Sequence, residues 1–219
     1  MTESAGKRCP HPVRRLAFLC AGLIIMAFGV AFSIKAALGT SPISSVPYVT
    51  ARISGLSVGT TTIIMNFIFV LIQIGILRKQ YQWFQLLQFP AAVLFGVMID
   101  VAEAVLAPLP AGNYLQQWLL CAVGIVLIAL GVSVEVMANL VTTAGEGIVL
   151  AICKVFPVKF GNMKMAFDIT LVCISIVLSL LFLGQLDGVR EGTVAAAVLV
   201  GQLTKRFQPL MKALERAVL

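Results

Sequence analysis

Charge is what this chain has least of. Of its 219 residues, 11% are Asp, Glu, Lys or Arg, against about a quarter in an ordinary soluble domain. The shortage excludes a soluble globular domain, because 60% of the residues are apolar and the mean hydropathy is +1.02. Histidine is nearly missing: His11 stands alone, in the N-terminal tail, which speaks against histidine-based catalysis or metal binding. Cys9, Cys20, Cys121, Cys153 and Cys173 form no C-x-x-C pair and read as small apolar residues, not as a disulfide or metal set. There is no P-loop, no G-x-S-x-G, no H-E-x-x-H and no dinucleotide fingerprint. The chain is therefore not expected to be an enzyme or to carry a cofactor, and any energy it uses has to come from an ion gradient or a partner.

What is present is a set of long apolar runs, at 16–36, 61–77, 86–106, 118–138, 163–183 and, shorter, 193–203. A helix needs about 17–25 residues to cross a ~30 Å hydrocarbon core, and lipid admits only elements that satisfy their own backbone. The sixth run reaches that length only if Arg190 and Glu191 begin it and Lys205 snorkels from its end. The first run is too long for the roughly 7–15-residue core of a signal peptide, and Leu19-Cys20 lacks the small residues of a lipoprotein cleavage site, so this span is expected to be retained.

The net charge of +7 does not point to nucleic acid, because the basic residues are sorted. With a cytoplasmic N-terminus, all 16 Lys and Arg except Lys35, Arg52 and Arg190 fall on inside segments, a positive-inside bias. The expected localisation is a bacterial inner membrane, crossed six times with both termini cytoplasmic. The tail 205–219 reads as a short amphipathic helix on the anionic inner leaflet.

Residues 22–70 and 124–172 read as one segment twice, without a gap. Gly22, Gly29, Ala36, Thr40 and Gly59 meet Gly124, Gly131, Ala138, Thr142 and Gly161, and Asn66 meets Asp168. A third block follows after a three-residue insertion, where Ala92 meets Ala197 and Gly96 meets Gly201. Three spans per copy force the second copy to insert upside down, the geometry of several secondary transporters. The expected fold class is all-α: a polytopic membrane helix bundle, six transmembrane helices as two inverted three-helix repeats, each with an extra short helix. The boundaries read as a cytoplasmic basic tail 1–15, a first repeat 16–106, an outer linker 107–117, a second repeat 118–204 and the tail 205–219.

The extra helices follow the first span of each copy. Ser41 precedes Pro42 at a first helical position, where a missing N–H does no harm. Thr143-x-x-Glu146 reads as a capping box. The helices, about 42–54 and 144–156, are too short to span. Set in the membrane, their N-termini would turn partial positive charge and free N–H groups toward one central, anion-binding site; lying at the interface, they would merely connect.

Ionisable groups within spans are functional candidates because each is costly in lipid. Asp168 and its mate Asn66 read either as a proton, cation or ligand site or as a structural hydrogen bond between helices. Glu135 lies near the inner end of the fourth span. The candidate site residues are thus Thr40, Ser41, Asn66, Glu135, Thr142, Thr143, Glu146 and Asp168. Asp100 and Glu103, one turn apart, read either as a cation mouth or as a solvated helix end, with Lys35 either paired to Asp100 or snorkelling. Asp187, Arg190 and Glu191 read as a solvated outer loop. Ala27-x-x-x-Ala31 is a small-residue pair of the kind that lets helices approach.

The run Lys35-Ala36-Ala37-Leu38-Gly39-Thr40-Ser41-Pro42, then Gly59-Thr60 and later Gly192-Thr193, resembles the YczE/YyaS/YitT group of bacterial integral membrane proteins over about residues 14–206. The resemblance implies some six spans and, through the YczE branch's association with pyridoxal-phosphate-dependent regulators, a vitamin B6-like solute. It brings no site residues with it.

The leading expectation is a small-solute or ion transporter with a central site between inverted repeats, its solute anionic or vitamin-like. Two alternatives stay open: a substrate-capture subunit that needs a separate energising partner, and a non-transporting membrane factor that assembles or regulates another complex. Partners expected beyond the bilayer are a second copy of the chain or another membrane protein, and no nucleic acid.

Overall fold

The computed structural model describes residues 12–110 and 112–218. The basic stretch before residue 12 lies outside the described residues. Eight α-helices follow one another: α1 Pro12–Ala36, α2 Pro42–Ser54, α3 Val58–Leu77, α4 Gln88–Leu106, α5 Tyr114–Ala138, α6 Ala144–Val155, α7 Phe160–Leu178 and α8 Glu191–Val218. A 3-10 turn, Trp83–Leu87, leads into α4, and a wider π-type turn, Ser179–Leu183, extends α7. No strand occurs among the described residues.

Among the described residues five segments are long and apolar enough to cross a membrane: Pro12–Ala36, Val58–Leu77, Trp83–Leu106, Tyr114–Ala138 and Phe160–Leu183. The expected sixth span is not one of them. Residues 193–203 are the first part of α8, which continues through Pro209 and absorbs the tail read as a separate helix. The reason is local, since residues 204–208 contain no glycine or proline to stop a helix. Its far end is held to α1 by an Arg15–Glu215 ion pair at 3.5 Å, and Met211 is buried against Val134 and Met137.

Lipid tails are as apolar as leucine, so helices here associate through close packing and hydrogen bonds. Large apolar side chains accordingly face outward, Leu181 at 74% exposure and Val194 at 67%. The closest approach is between α1 and α5. A Cβ on Gly22 would lie 2.9 Å from the Gly131 carbonyl oxygen, and one on Gly29 would lie 2.9 Å from that of Gly124. The two helices therefore run antiparallel, backbone on backbone. At one end Arg15 donates to the Ala138 carbonyl at 3.1 Å. Ala27 and Ala31 are buried in the same helix.

The remaining contacts come in twos. Helix α1 packs on α4 as α5 packs on α8, α2 packs on α7 as α6 packs on α3, and α2 meets α3 as α6 meets α7. Each short helix thus leans on a long helix of the other half. One pairing lacks its match: α3 lies along α4, while among the described residues α7 and α8 make no comparable contact.

After α1 the chain turns back into the molecule. Ala37 and Gly39 take positive φ, 55° and 91°, and Leu38, Thr40 and Ser41 are buried. The loop before α8 clamps this turn. The Thr40 N–H donates to Gly188 O at 3.0 Å, Gly192 N–H to Leu38 O at 2.8 Å, and the Arg190 guanidinium to Ala37 O at 2.9 Å. A Cβ at Gly39 would collide with Thr193 Oγ1 and sit 2.5 Å from Arg190 N. Valine occupies the matching place in the other half, Val141. Gly39→Val is nevertheless expected to destabilise by about 3 kcal/mol or more, because a β-branched residue at this φ is strained and has no room. A fall in melting temperature checks this; an unchanged one would refute the clamp.

Helices α2 and α6 start deep and point outward from there. At their starts the Ile43 side chain packs directly on Gly145. These two residues are matched by the same offset that aligns segment 22–70 with segment 124–172.

Candidate functional site

A cavity of about 70 Å³ lies between α1–α4, the end of α5 and the start of α6. That is room for roughly five water-sized groups. Its polar lining is Ser41 and Ser44 at the start of α2, Thr62 and Asn66 on α3, Gln88 at the start of α4, Glu135, and Thr142 and Thr143 before α6. Leu23, Met26, Val30, Phe95 and Ile128 supply apolar walls.

Glu135 is the ionisable residue of this lining, and it is 3% exposed. One carboxyl oxygen, Oε1, accepts the Thr143 backbone N–H at 2.5 Å. The positive end of the α6 dipole thereby faces a buried carboxyl group, an arrangement that lessens the cost of burying it. The other oxygen, Oε2, is buried and finds no hydrogen-bond partner among the described residues. The same holds for Gln88 Oε1, on a residue also 3% exposed.

The expected capping box does not form, and Thr143 makes no side-chain cap. Glu135 takes that role from the preceding span, leaving Glu146 outside the cavity lining and within electrostatic reach of Glu135, Lys164 and Asp168. Ser41 likewise caps nothing with its side chain; its hydroxyl donates to Ser44 Oγ at 3.0 Å. Pro42 does stand at the first helical position of α2.

Asp168 does not face Asn66 across the site. It pairs with Lys164, one turn earlier on α7, with nitrogen and oxygen 2.5 Å apart. A lysine at i−4 neutralises the carboxylate locally, so the helix can carry it away from the centre. Thr40 lies in a second, larger cavity of about 250 Å³ with Ser33, Tyr48 and Asp187. Of the expected residues, the first cavity gathers Ser41, Asn66, Glu135, Thr142 and Thr143.

The expected mouth residues serve as helix-end contacts. Asp100 accepts Ser57 Oγ and the Gly59 N–H, both at 2.7 Å, and so caps α3. Lys35 does not reach it and donates to the Ala107 carbonyl at 2.8 Å. Glu103 is partly buried on the same end of α4. Nor is Asp187 simply solvated. It accepts Arg52 Nε at 3.2 Å, the Tyr48 hydroxyl at 3.4 Å and its neighbour's Gly188 N–H at 2.9 Å. Burial, and then the negative charge of Asp187, holds the Tyr48 hydroxyl above its ordinary pKa, so it remains a neutral donor. Asp187→Asn is expected to cost only about 1 kcal/mol, since Arg52 is largely exposed, but to speed proteolysis of the loop at 184–190. Unchanged cleavage would argue against a fastening role.

Sequence reasoning passed over Gln88, Ser44 and Thr62. For Gln88 a signal existed: the offset that pairs Ala92 with Ala197 sets it against Thr193, a buried polar residue that accepts Arg190 N–H at 3.3 Å.

Five apolar helical segments of membrane-spanning length, packed together, define a polytopic helical membrane protein. The chain belongs to a family of unknown function, DUF6198, whose profile matches residues 13–209. It is 30% identical over 200 residues to the uncharacterized membrane protein YczE of Bacillus subtilis (strain 168), covering 90% of this chain and 86% of that one. It is 27% identical over 193 residues to the uncharacterized protein YyaS of the same organism, covering 87% and 90%. The resemblance to the YczE/YyaS group therefore holds. No solved structure matches.

Proposed function

We propose that this protein is a small-solute transporter built from two inverted repeats, with its binding site in the 70 Å³ cavity. The observation that carries the reading is convergence: the starts of both short helices, a buried carboxyl group and the two carboxamides Asn66 and Gln88 line one space. Buried polar groups inside a membrane bundle are functional candidates by default, and short helices starting at the membrane centre are how several transporters hold a solute.

The repeat supplies the two-sidedness. Gly22 opposes the counterpart of Gly29, and Gly29 opposes the counterpart of Gly22, as a two-fold axis between the halves requires. Ile43 touching its own counterpart, Gly145, lies on that axis. The two cavities are related in the same way: Ser33, Gly39 and Thr40 line one, while their counterparts Glu135, Val141 and Thr142 line the other. In this reading each cavity is the path from one face of the membrane, and the site at the helix starts is reached from either face in turn as the two halves exchange states. The Arg52–Asp187 ion pair fastens one side, and at the matching place on the other Lys154, the counterpart of Arg52, makes a long hydrogen bond to the Gln80 carbonyl, 3.5 Å.

The test is the melting temperature of the purified protein against a panel of small metabolites, vitamins and ions, with Glu135→Gln and Asp168→Asn in parallel. A ligand at about 100 times its Kd adds ~2.7 kcal/mol of stability. A stabilising solute whose effect disappears in Glu135→Gln and survives in Asp168→Asn supports the reading. A panel without any stabilising solute, on folded proteins, contradicts it and favours an assembly role.

A further inference from the structure

We infer that the recognised solute is a small organic cation, a protonated amine whose ammonium group donates to Glu135 Oε2 and Gln88 Oε1. This inference rests on the proposed binding function and gives it a ligand class.

Hydrogen-bonding capacity sets the first limit on the ligand. Both oxygens are buried and lack a partner among the described residues, and both belong to residues that line the same cavity. A buried acceptor left unmade costs free energy comparable to a lost hydrogen bond, so the complementary ligand group is a donor. Carboxylates have no proton to give, and a hydroxyl has one. An alkylammonium has three N–H bonds on one nitrogen.

Charge narrows the class further. Glu135 is the ionisable side chain of the lining and Glu146 of α6 lies within electrostatic reach of it, so the acidic groups gathered here favour a positively charged solute over an anion. The positive end of α6 is already engaged by Glu135 Oε1, so it is not free to receive an anion. A bare metal ion fits less well. Hard cations take about six or more oxygens, and no cluster of three His, Cys, Asp or Glu occurs among the described residues. The walls formed by Leu23, Met26, Val30, Phe95 and Ile128 suit a short hydrocarbon body. Met26 adds a flexible thioether that adapts to shape.

The experiment compares matched probes on the full-length protein in lipid nanodiscs. Alkylammonium ions from methyl to hexyl are set against the carboxylates and alcohols of the same chain lengths, and melting temperature is followed. At least one alkylammonium is expected to raise it saturably, with the matched carboxylate and alcohol inert. Glu135→Gln, which keeps an acceptor for Thr143, is expected to weaken that response at least tenfold. Gln88→Met, of similar size without the amide oxygen, is expected to weaken it about fivefold, and Asp168→Asn to leave it unchanged.

A carboxylate that stabilises as well as its amine overturns the inference while leaving the binding function standing. A failure of every solute in the broader panel removes both. If Glu135→Gln does not fold, Gln88→Met decides, and an undiminished response in it overturns the inference.

Discussion

Gly29→Leu is expected to leave little or no folded protein. A Cβ at this position would lie 2.7 Å from the Ile128 backbone nitrogen and 2.9 Å from the Gly124 carbonyl oxygen. Both atoms are main chain and cannot turn aside, so α1 and α5 would have to separate. Overpacking a core costs about 1–3 kcal/mol even where side chains can adapt. Here the whole α1–α5 seam moves, against a total stability of about 5–15 kcal/mol. The measurement is the yield of monodisperse protein after extraction into detergent. Gly75→Leu is the control, since nothing lies within 4 Å of a Cβ there. It is expected to behave as wild type. Equal yields for the two variants would refute the close seam.

The second large effect concerns Glu135, whose two oxygens have separate duties. Glu135→Leu removes the acceptor of the Thr143 N–H and leaves the first turn of α6 with a buried, unmade donor, at about 1–3 kcal/mol. It also removes the buried, unpartnered oxygen that we propose receives the ligand. Glu135→Gln restores an acceptor without the charge. The expected pattern is a split: the glutamine variant melts near wild type and no longer responds to solute, while the leucine variant melts several degrees lower and does not respond either. A glutamine variant that keeps the solute response would detach Glu135 from binding.

The helices were legible because lipid leaves little choice. Apolar runs of spanning length must be helical, and the glycines that repeat at a fixed offset are those at the α1–α5 seam. The starts of α2 and α6 were legible from Pro42 and Thr143, which the structure puts at the expected places. The burial of the α2 start was not, since it depends on the positive-φ turn at Gly39 and on a clamp from residues 188–192, far away in the chain.

The site was half legible, for reasons that differ by residue. Glu135 stood out because a charge in a span is costly. Asp168 stood out on the same ground, and the structure pairs it with Lys164 and leaves it outside the cavity lining. Gln88 was hidden, being neutral and near the end of an apolar run, and only its burial with an unpartnered oxygen reveals it. The Thr143–Glu146 pattern was a valid local rule that a nonlocal carboxyl group displaced. The continuity of α8 was obscured by its change of character at Lys205, from apolar to amphipathic, where the backbone continues undisturbed.

The central claim is that the cavity at the paired helix starts is reached from both sides of the membrane, and it is tested without knowing the solute. Ser44 lines the cavity and is buried, and cysteine nearly preserves its shape. With the five native cysteines replaced, Ser44→Cys is reconstituted in sealed vesicles and exposed to a charged, membrane-impermeant thiol reagent on one face or the other. The account predicts labelling from each face in separate samples, slowed by any solute that raises the melting temperature. Labelling from one face only, or from neither, would contradict it.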